Sequence, residues 1–262
     1  MTFLLEAADD IAYATADLED AFKKGLFTIE QFIDYYQDEI SKIENKKIDI
    51  LMATYNGEKY LAEQIDSIIS QTYKNWKLVI RDDGSKDKTV AILNEYEKKD
   101  ERIKVLRDSK GNLGFLKNFE ELLFNADEEF VLFSDQDDFW LKNKLEKFVE
   151  KISKLDGKTL SKPLLIHCNS SICNDRLEVI KKEFIDSKLA KERNSNIYFF
   201  EYMVQGSTSM VNKKMIRKSI PFLKNVTLHD RYFHLLSQFF GTRVFINKSL
   251  VKYRQHERNE IG

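Results

Sequence analysis

Three aspartates in the middle of the sequence have a spacing suited to binding a metal ion. Asp135, Asp137 and Asp138 come directly after the apolar run at residues 130–133. Three carboxylates so close together repel one another unless a cation or strong hydrogen-bond donors compensate their charge. Mg²⁺ and Mn²⁺ prefer oxygen ligands of this kind and leave room for substrate phosphates. The alternative is a solvated acidic loop, in which Asp137 or Asp138 caps a helix that begins near Trp140.

Two further polar clusters follow short apolar runs and carry side chains that could bind a nucleotide. They are Thr54-Tyr55-Asn56-Gly57-Glu58, after residues 48–53, and Arg81-Asp82-Asp83-Gly84-Ser85, after residues 78–80. An acidic pair can accept hydrogen bonds from a base or a ribose, and a tyrosine ring offers a flat surface for stacking. Asp-Gly-Ser is equally typical of a simple turn, so the second cluster alone does not decide between the two interpretations.

Strand-like and helix-like segments alternate from Lys47 onward. The predicted strands are residues 48–53, 78–80, 103–106, 130–133, 164–166 and 244–246. Between them, apolar residues recur at helical spacing, first at Leu61, Ile65, Ile68 and Ile69, and then at Phe115, Phe119, Leu122 and Leu123. This alternation predicts an α/β fold with a mostly parallel central sheet flanked by helices. Ligands of such sheets bind at the carboxyl ends of the strands, which is where the polar clusters fall.

Residues 1–46 differ from the rest of the chain in composition and in pattern. They carry 4 basic and 11 acidic side chains, a net charge of −7. Thr28 and Gln31 form a capping-box pattern ahead of an amphipathic helix, and the stretch before Gly25 also favours helix. We therefore predict a short, all-helical segment at 1–46 and one α/β domain at 47–262.

Length and composition limit the class of protein. The chain has 262 residues, of which 42% are hydrophobic, enough for one large globular domain. No apolar run approaches the roughly 20 residues needed to cross a bilayer. Early acidic residues argue against a signal peptide, and Cys168 and Cys173 are expected to be reduced thiols. We expect a cytoplasmic protein.

The part of the chain from Phe139 onward is strongly basic, with 24 basic and 12 acidic side chains. Such an excess favours an anionic ligand or a peripheral contact with the anionic inner face of the cell membrane. A solvated lysine-rich surface is the alternative. No nucleic-acid partner is expected.

Four motifs, in this order, resemble those of the inverting family 2 glycosyltransferases of GT-A fold. They are residues 50–60, Asp82-Asp83-Gly84-Ser85, Asn112-Leu113-Gly114 and Ser134-Asp135-Gln136-Asp137-Asp138-Phe139-Trp140. The last motif, with the later His-Asp and Tyr-Arg-Gln-His, is similar to a rhamnosyltransferase branch of cell-surface polysaccharide biosynthesis. The resemblance implies inverting transfer of a sugar, which in that branch is rhamnose, from a dTDP- or UDP-linked donor. The acceptor would be the hydroxyl of a saccharide or lipid-linked saccharide, and Mg²⁺ or Mn²⁺ the cofactor.

The resemblance also implies roles for individual residues, with about 47–140 as the nucleotide-binding half and about 141–262 as the acceptor half. The implied nucleotide-sugar contacts are Thr54, Tyr55, Asn56, Glu58, Asp82, Asp83, Asn112, Gly114, Asp135, Gly206 and Ser207. The implied metal ligands are Asp135, Asp137, Asp138 and His256. Asp230 would be the base that takes the acceptor proton, and His229 stands where the family commonly has glutamate. The alternatives are an ordinary helix start at His229-Asp230 and a surface-loop histidine at His256.

Residues 2–27 resemble a fragment of a different family, the dGTP triphosphohydrolases of the HD superfamily. In that family Asp9 or Asp10 would be a metal ligand, but the histidines and the His-Asp pair of that site have no match nearby. We interpret residues 1–46 as a non-catalytic helical appendage. Two alternatives to sugar transfer remain, namely a non-catalytic nucleotide-sugar-binding scaffold and a fragment of a dGTP triphosphohydrolase.

Overall fold

The computed structural model describes Lys24, Thr28 and residues 46–186 and 204–256. The chain divides into two compact units, Met1–Lys46 and Lys47–Gly262. The helices predicted within 1–46 and the HD-like stretch at 2–27 lie outside the described residues, apart from Lys24 and Thr28. All helices and strands below belong to the second unit.

The first part of this unit alternates strands and helices along the chain. Its strands are β1 (Ile48–Thr54), β2 (Trp76–Asp82), β3 (Ile103–Leu106), β4 (Phe130–Ser134) and β5 (Phe139–Trp140). Its helices are α1 (Leu61–Ile69), α2 (Thr89–Lys99) and α3 (Phe115–Phe124). The helices at the two predicted apolar faces are thereby confirmed.

The second part begins with two helices and then becomes richer in strand. The helices are α4 (Lys144–Ser153), α5 (Gly157–Leu160), α6 (Lys213–Ser219) and α7 (His229–Phe240). The strands are β6 (Leu164–Cys173), β7 (Val179–Lys181), β8 (Ser209–Asn212) and β9 (Thr242–Arg254). A single 3₁₀ turn, Gly206–Thr208, precedes β8. None of the helices in the described part of the chain has the length and apolar character of a membrane span.

The described strands form one sheet in the order β3-β2-β1-β4-β8-β6-β9-β5, with β7 beside β6. Strands β1 to β4 pair in parallel, and so does the long β6–β9 pair. Strand β8 runs antiparallel to both β4 and β6 and joins the two halves. The register places Thr54 beside Asp82 and Met52 beside Ser134, so the carboxyl ends of β1, β2 and β4 meet at one edge. The predicted α/β class is confirmed.

One apolar cluster connects the helices to this edge of the sheet. Leu51 and Val79 of the sheet pack with Phe119 of α3, and Phe133 of β4 packs with Phe233 of α7. All five side chains are buried. Burying a side chain of this size contributes about 1.5–3 kcal/mol, so the cluster holds α3 and α7 firmly beside the strand ends.

Candidate active site

The three aspartates lie at the carboxyl end of the fully buried strand β4, as the sequence predicts. Asp135 and Asp137 are half-buried, whereas Asp138 is 0% exposed. The solvated-loop interpretation is wrong, because β5 occupies Phe139–Trp140 and the residue that precedes α4 is Asn143. None of the aspartates therefore caps that helix.

Electrostatic repulsion within this group is strong. Burial and the negative charges of Asp138 and Asp137 raise the pKa of Asp135 well above its ordinary value. The charge of Asp230 acts in the same direction, so the proposed base lies near the aspartate motif. Burial and the charge of Asp137 likewise raise the pKa of Asp138 to about 7. These carboxylates lack full compensation from the protein, which is the condition under which a divalent cation binds.

His256 and Asp137 are the pair of proposed metal ligands that the structure brings together. His256 Nε2 lies 2.9 Å from Asp137 Oδ2, although the two residues are 119 positions apart. Asp138 Oδ1 accepts a hydrogen bond from the main-chain N–H of Arg254 at 3.1 Å, and its buried Oδ2 has no hydrogen-bond partner. Within residues 46–186 and 204–256, no three His, Cys, Asp or Glu side chains already converge on one point. The donor set fits a hard ion that draws its remaining ligands from substrate phosphate and water.

Asp82 and Tyr55 are the accessible members of the proposed nucleotide site. Asp82 Oδ1 accepts hydrogen bonds from the hydroxyls of Thr54 at 2.9 Å and Ser85 at 2.6 Å. Its Oδ2 accepts the N–H groups of Gly84 at 3.1 Å and Ser85 at 2.8 Å. Asp82 is half-buried, and the side chain of Tyr55 is 45% exposed just beyond β1. The Asp-Gly-Ser turn is therefore real, and it leaves a carboxylate and a ring at the strand ends.

Asp83 fixes the neighbouring loop and is 3% exposed. Its Oδ1 accepts hydrogen bonds from the guanidinium of Arg81 and the N–H of Leu113, and its Oδ2 accepts the N–H of Gly114, each at 2.8 Å. Asn112 Nδ2 donates to the Asp83 carbonyl at 2.9 Å. Gly114 has a φ of 79°, a conformation that favours glycine. Asp83 is buried whereas Asp82 is half-buried, and this difference in exposure favours Asp82 for contact with a nucleotide.

Asn56 and Glu58 tie the loop after β1 to the loop after β2. The N–H of Asn56 donates to Ser85 Oγ at 2.8 Å, and Asn56 Oδ1 accepts the N–H of Lys86 at 2.9 Å. Glu58 Oε2 accepts the N–H of Lys88 at 2.9 Å. The structure thus gives these two predicted contact residues a clear role in shaping the loops.

Asp230 lies in the first turn of α7 and is 5% exposed. Its Oδ2 accepts the N–H of Gly206 at 3.0 Å and its Oδ1 accepts the N–H of Arg231 at 2.6 Å. A helix N-terminus stabilises the ionised carboxylate. The predicted base, the predicted Gly206 turn and the aspartate motif are therefore brought together.

His229 is a packing residue in this structure. It is 1% exposed, and neither ring nitrogen has a hydrogen-bond partner. Burial lowers the pKa of His229, against the opposing charge of Asp230, so the ring is neutral near pH 7. It does not replace the family's second carboxylate chemically. Four phenylalanines surround the ring at centroid distances of 4.4–6.0 Å: Phe115, Phe119, Phe133 and Phe233.

Comparison with known proteins decides the family. Residues 49–219, well over half of the chain, match the family described as Glycosyl transferase family 2. The chain belongs to glycosyl transferase family 2. It is 29% identical to the dTDP-rhamnosyl transferase RfbG of Shigella flexneri over 223 residues, which are 80% of this chain and 73% of RfbG.

Solved structures show the same fold for this family 2 chain. TarS 1–349 of S. aureus, in complex with UDP-GlcNAc, matches with a TM-score of 0.62 at 22% identity. The mannosyltransferase PcManGT of Pyrobaculum calidifontis, in complex with GDP-Man and Mn²⁺, matches with a TM-score of 0.58 at 12% identity. The matches cover 81% and 82% of this chain, and 60% and 59% of those chains. At these identities the likeness shows the fold, and it confirms the GT-A prediction.

Lys144 is a site residue of this family 2 chain that the sequence analysis missed. Its side chain is fully buried, its Nζ donates to the carbonyl of Ser207 at 2.5 Å, and it lies 3.3 Å from the ring centroid of Trp140. Burial lowers the pKa of Lys144 to about 7, although the charges of Asp138 and Asp135 oppose the shift. A lysine at the start of an amphipathic helix is expected to be exposed to solvent. The sequence pattern therefore does not predict the burial of Lys144.

Arg254 is a second buried cation beside the aspartates, and its guanidinium is directed into the protein. The side chain is 2% exposed. Its Nε donates to the carbonyl of Asp137 at 2.7 Å, and its other nitrogens donate to Glu63 and to the carbonyl of Asp175. The guanidinium also lies 4.3 Å from the ring centroid of Tyr60. Arg254 therefore holds the main chain of the motif in place.

Proposed function

We propose that this glycosyltransferase moves a sugar from a nucleoside-diphosphate donor to an acceptor hydroxyl with inversion, and that the reaction depends on Mg²⁺ or Mn²⁺. The observation that carries the proposal is the convergence of two groups at one edge of the sheet. One is the Asp137–His256 pair, 2.9 Å apart, and the other is Asp230, held at 3.0 Å by Gly206 and close enough to Asp135 to raise its pKa.

The nucleotide half receives the donor. Tyr55 offers its exposed ring to the base, and Asp82 presents a carboxylate toward the base and ribose. Asp137 and His256 would hold the divalent ion, with Asp135 and Asp138 adding negative charge beside it. When bound, the ion supplies positive charge that stabilises the departing diphosphate.

Asp230 acts on the acceptor. Its carboxylate takes the proton of the acceptor hydroxyl as that oxygen bonds to the anomeric carbon. The bond from the anomeric carbon to the diphosphate oxygen breaks on the opposite face, so the configuration inverts. The nucleoside diphosphate leaves with the bonding electron pair. Gly206 and Ser207 form the turn next to the reacting sugar, where a glycine lets the main chain approach the ligand closely.

For the donor we propose dTDP-rhamnose, with transfer to a saccharide or lipid-linked saccharide in cell-surface polysaccharide biosynthesis. Support comes from the name of RfbG, to which the chain is 29% identical. The test is release of nucleoside diphosphate from dTDP-rhamnose and UDP-GlcNAc with Mn²⁺ present. A thermal-shift screen widens the donor panel, since a ligand at 100 times its Kd stabilises by about 2.7 kcal/mol. Absence of both turnover and donor binding would favour the scaffold alternative.

We further propose a cytoplasmic location with peripheral contact at an anionic membrane. Phe239 and Phe240, at the end of α7, are 66% and 55% exposed, and Lys218 Nζ lies 4.0 Å from the ring centroid of Phe240. Aromatic rings beside lysine suit the lipid interface. Co-sedimentation with anionic but not with neutral vesicles is expected, and Lys218→Glu should weaken it. Equal sedimentation of both proteins with both vesicles would contradict this proposal.

For residues 1–46 we propose no part in catalysis. The 262-residue chain should release no triphosphate from dGTP, and Asp9→Ala with Asp10→Ala should leave sugar transfer unchanged. Triphosphate release that disappears in this double variant would instead support the phosphohydrolase interpretation of the segment.

A further inference from the structure

Gln136 connects the aspartate motif to the tyrosine of the nucleotide site. It stands between Asp135 and Asp137 in the sequence, but its amide bonds to the main chain of Tyr55, 81 positions earlier. Gln136 Oε1 accepts the N–H of Tyr55 at 2.9 Å, and Gln136 Nε2 donates to the carbonyl of Tyr55 at 3.0 Å. Both polar groups of the Tyr55 main chain are thus satisfied by one side chain, and this two-point pairing fixes the orientation of the amide.

Gly57 provides the space for this contact. A Cβ added at Gly57 would lie 2.3 Å from Gln136 Oε1 and 2.7 Å from its Cδ. Gly57 has no positive φ, so the requirement for glycine here comes from the glutamine and not from the backbone conformation. The close approach means that the loop and the side chain fit each other as a pair.

The other side of the same loop is attached to the loop after β2. The N–H of Asn56 donates to Ser85 Oγ at 2.8 Å, and the N–H of Gly57 donates to Thr89 Oγ1 at 2.8 Å. Tyr55 therefore lies between two anchors, the segment at 85–89 and Gln136. The segment at 85–89 lies between β2 and the first residue of α2, whereas Gln136 belongs to the aspartate motif.

We propose that Gln136 is a positioning residue that sets the place of the Tyr55 ring relative to the aspartate motif, so that a nucleoside diphosphate is bound at its base and its phosphates together. The inference rests on the proposed function. A ring that is held in its binding orientation before the ligand arrives loses less conformational freedom on binding. Because one side chain connects the two ends of the ligand site, its loss weakens the binding of the base and the coupling of that binding to the metal.

The first test measures the Kd of UDP, dTDP and GDP by calorimetry, in Mn²⁺ and in EDTA. Gln136→Met keeps the length of the side chain and removes both hydrogen bonds; Gln238→Met, on α7, is the matched control. We expect Gln136→Met to raise the Kd about tenfold in Mn²⁺ and to reduce the gain in affinity that Mn²⁺ gives the wild type. The control should match the wild type. A Gln136→Met protein that binds as tightly as the wild type overturns the inference alone, whereas a wild type that binds none of the three overturns the proposed function and the inference with it.

The second test asks whether Gln136 acts through Tyr55. In the Tyr55→Ala background, Gln136→Met should change the Kd less than twofold, because the ring that it positions is gone. A merely structural role predicts that the two losses multiply. Multiplication of the two effects would therefore overturn the inference.

The third test changes Gly57 instead of Gln136. Gly57→Ala should reproduce the tenfold loss, while Gly157→Ala, whose added Cβ meets nothing within 4 Å, should not. In a Gln136→Ala background the added methyl has room, so Gly57→Ala should cause no further loss there. A full additional loss in that background would contradict the pairing of the two residues.

Discussion

The main-chain N–H of Gly206 donates a hydrogen bond to Asp230 Oδ2 at 3.0 Å. The carboxylate of Asp230, the proposed base, is therefore held in position by a turn 24 residues earlier in the chain. Its orientation depends on a residue that is not part of α7, the helix that carries Asp230.

Asp230→Asn should abolish transfer while donor binding persists. The amide keeps the shape of the side chain but cannot accept the proton, and general bases of this kind contribute about 10²–10⁴-fold to the rate. Nucleoside diphosphate release and donor Kd measured on the same protein separate the two effects. Equal loss of binding and turnover would argue against the assignment of Asp230 as base.

Gly206→Ala should lower kcat with little change in nucleotide affinity. The added Cβ would lie 2.9 Å from His229 Nε2 and 3.8 Å from Asp230 Oδ2, and His229 cannot retreat because phenylalanines surround it. We expect a loss of at least about tenfold, since small displacements of a catalytic group are costly. Gly157→Ala is the control, because its added Cβ meets nothing within 4 Å. An unchanged kcat in Gly206→Ala would show that the turn accommodates the methyl group without displacing Asp230.

His256→Ala should weaken the binding of Mn²⁺. If the imidazole of His256 and Asp137 hold the ion together, the apparent Kd for Mn²⁺ rises about 10–100-fold in the variant. This is the size typical of losing a metal ligand or a residue that orients one. Nucleotide affinity in EDTA should stay as in the wild type. The experiment is a Mn²⁺ titration of turnover for the wild type, His256→Ala and Asp137→Ala. A His256→Ala curve that overlays the wild-type curve would exclude His256 as a metal ligand.

Asp138 should contribute less to the stability of the metal-free protein at pH 7 than at pH 5. The folded pKa of Asp138 is about 7, above its ordinary value of 3.8, so over this window the folded state holds a proton that the unfolded state has released. The free energy of unfolding then falls with pH, by on the order of 1–2 kcal/mol for this group. Urea denaturation of the wild type and of Asp138→Asn in EDTA, at pH 5 and at pH 7, measures this change in the free energy of unfolding. Asp138→Asn removes this contribution, so the free energy of unfolding of the variant minus that of the wild type should rise from pH 5 to pH 7. A difference that stays constant would show that the burial of Asp138 carries no such penalty.

The sequence was informative where local pattern and burial agree. The six predicted strands are all present, because each contains neighbouring apolar residues that the sheet buries. Strand β8, Ser209–Asn212, was not predicted: four residues of mixed polarity carry no period, and the strand exists because β4 and β6 flank it. The sheet context, not the local sequence, makes it a strand.

Some parts of the site can also be predicted from the local sequence, whereas others cannot. The three aspartates that follow β4 can be recognised from the sequence, because acidic residues come directly after an apolar strand. The burial of Lys144 and Arg254 is not visible in the local sequence, because their charged groups bond to partners far away along the chain. Lys144 donates to Ser207, 63 positions later, and the guanidinium of Arg254 donates to Glu63, 191 positions earlier. Nor does spacing reveal that Asp83 bonds inward and Asp82 remains accessible.

The long strand β9 delivers Arg254 and His256 to aspartates that precede them by 116 to 119 positions. During synthesis on the ribosome, the acidic motif therefore emerges well before the residues that complete it. A nascent chain that has reached β8 already contains the three aspartates after β4 but neither of these partners. The order of translation therefore leaves the site incomplete until β9 joins the sheet.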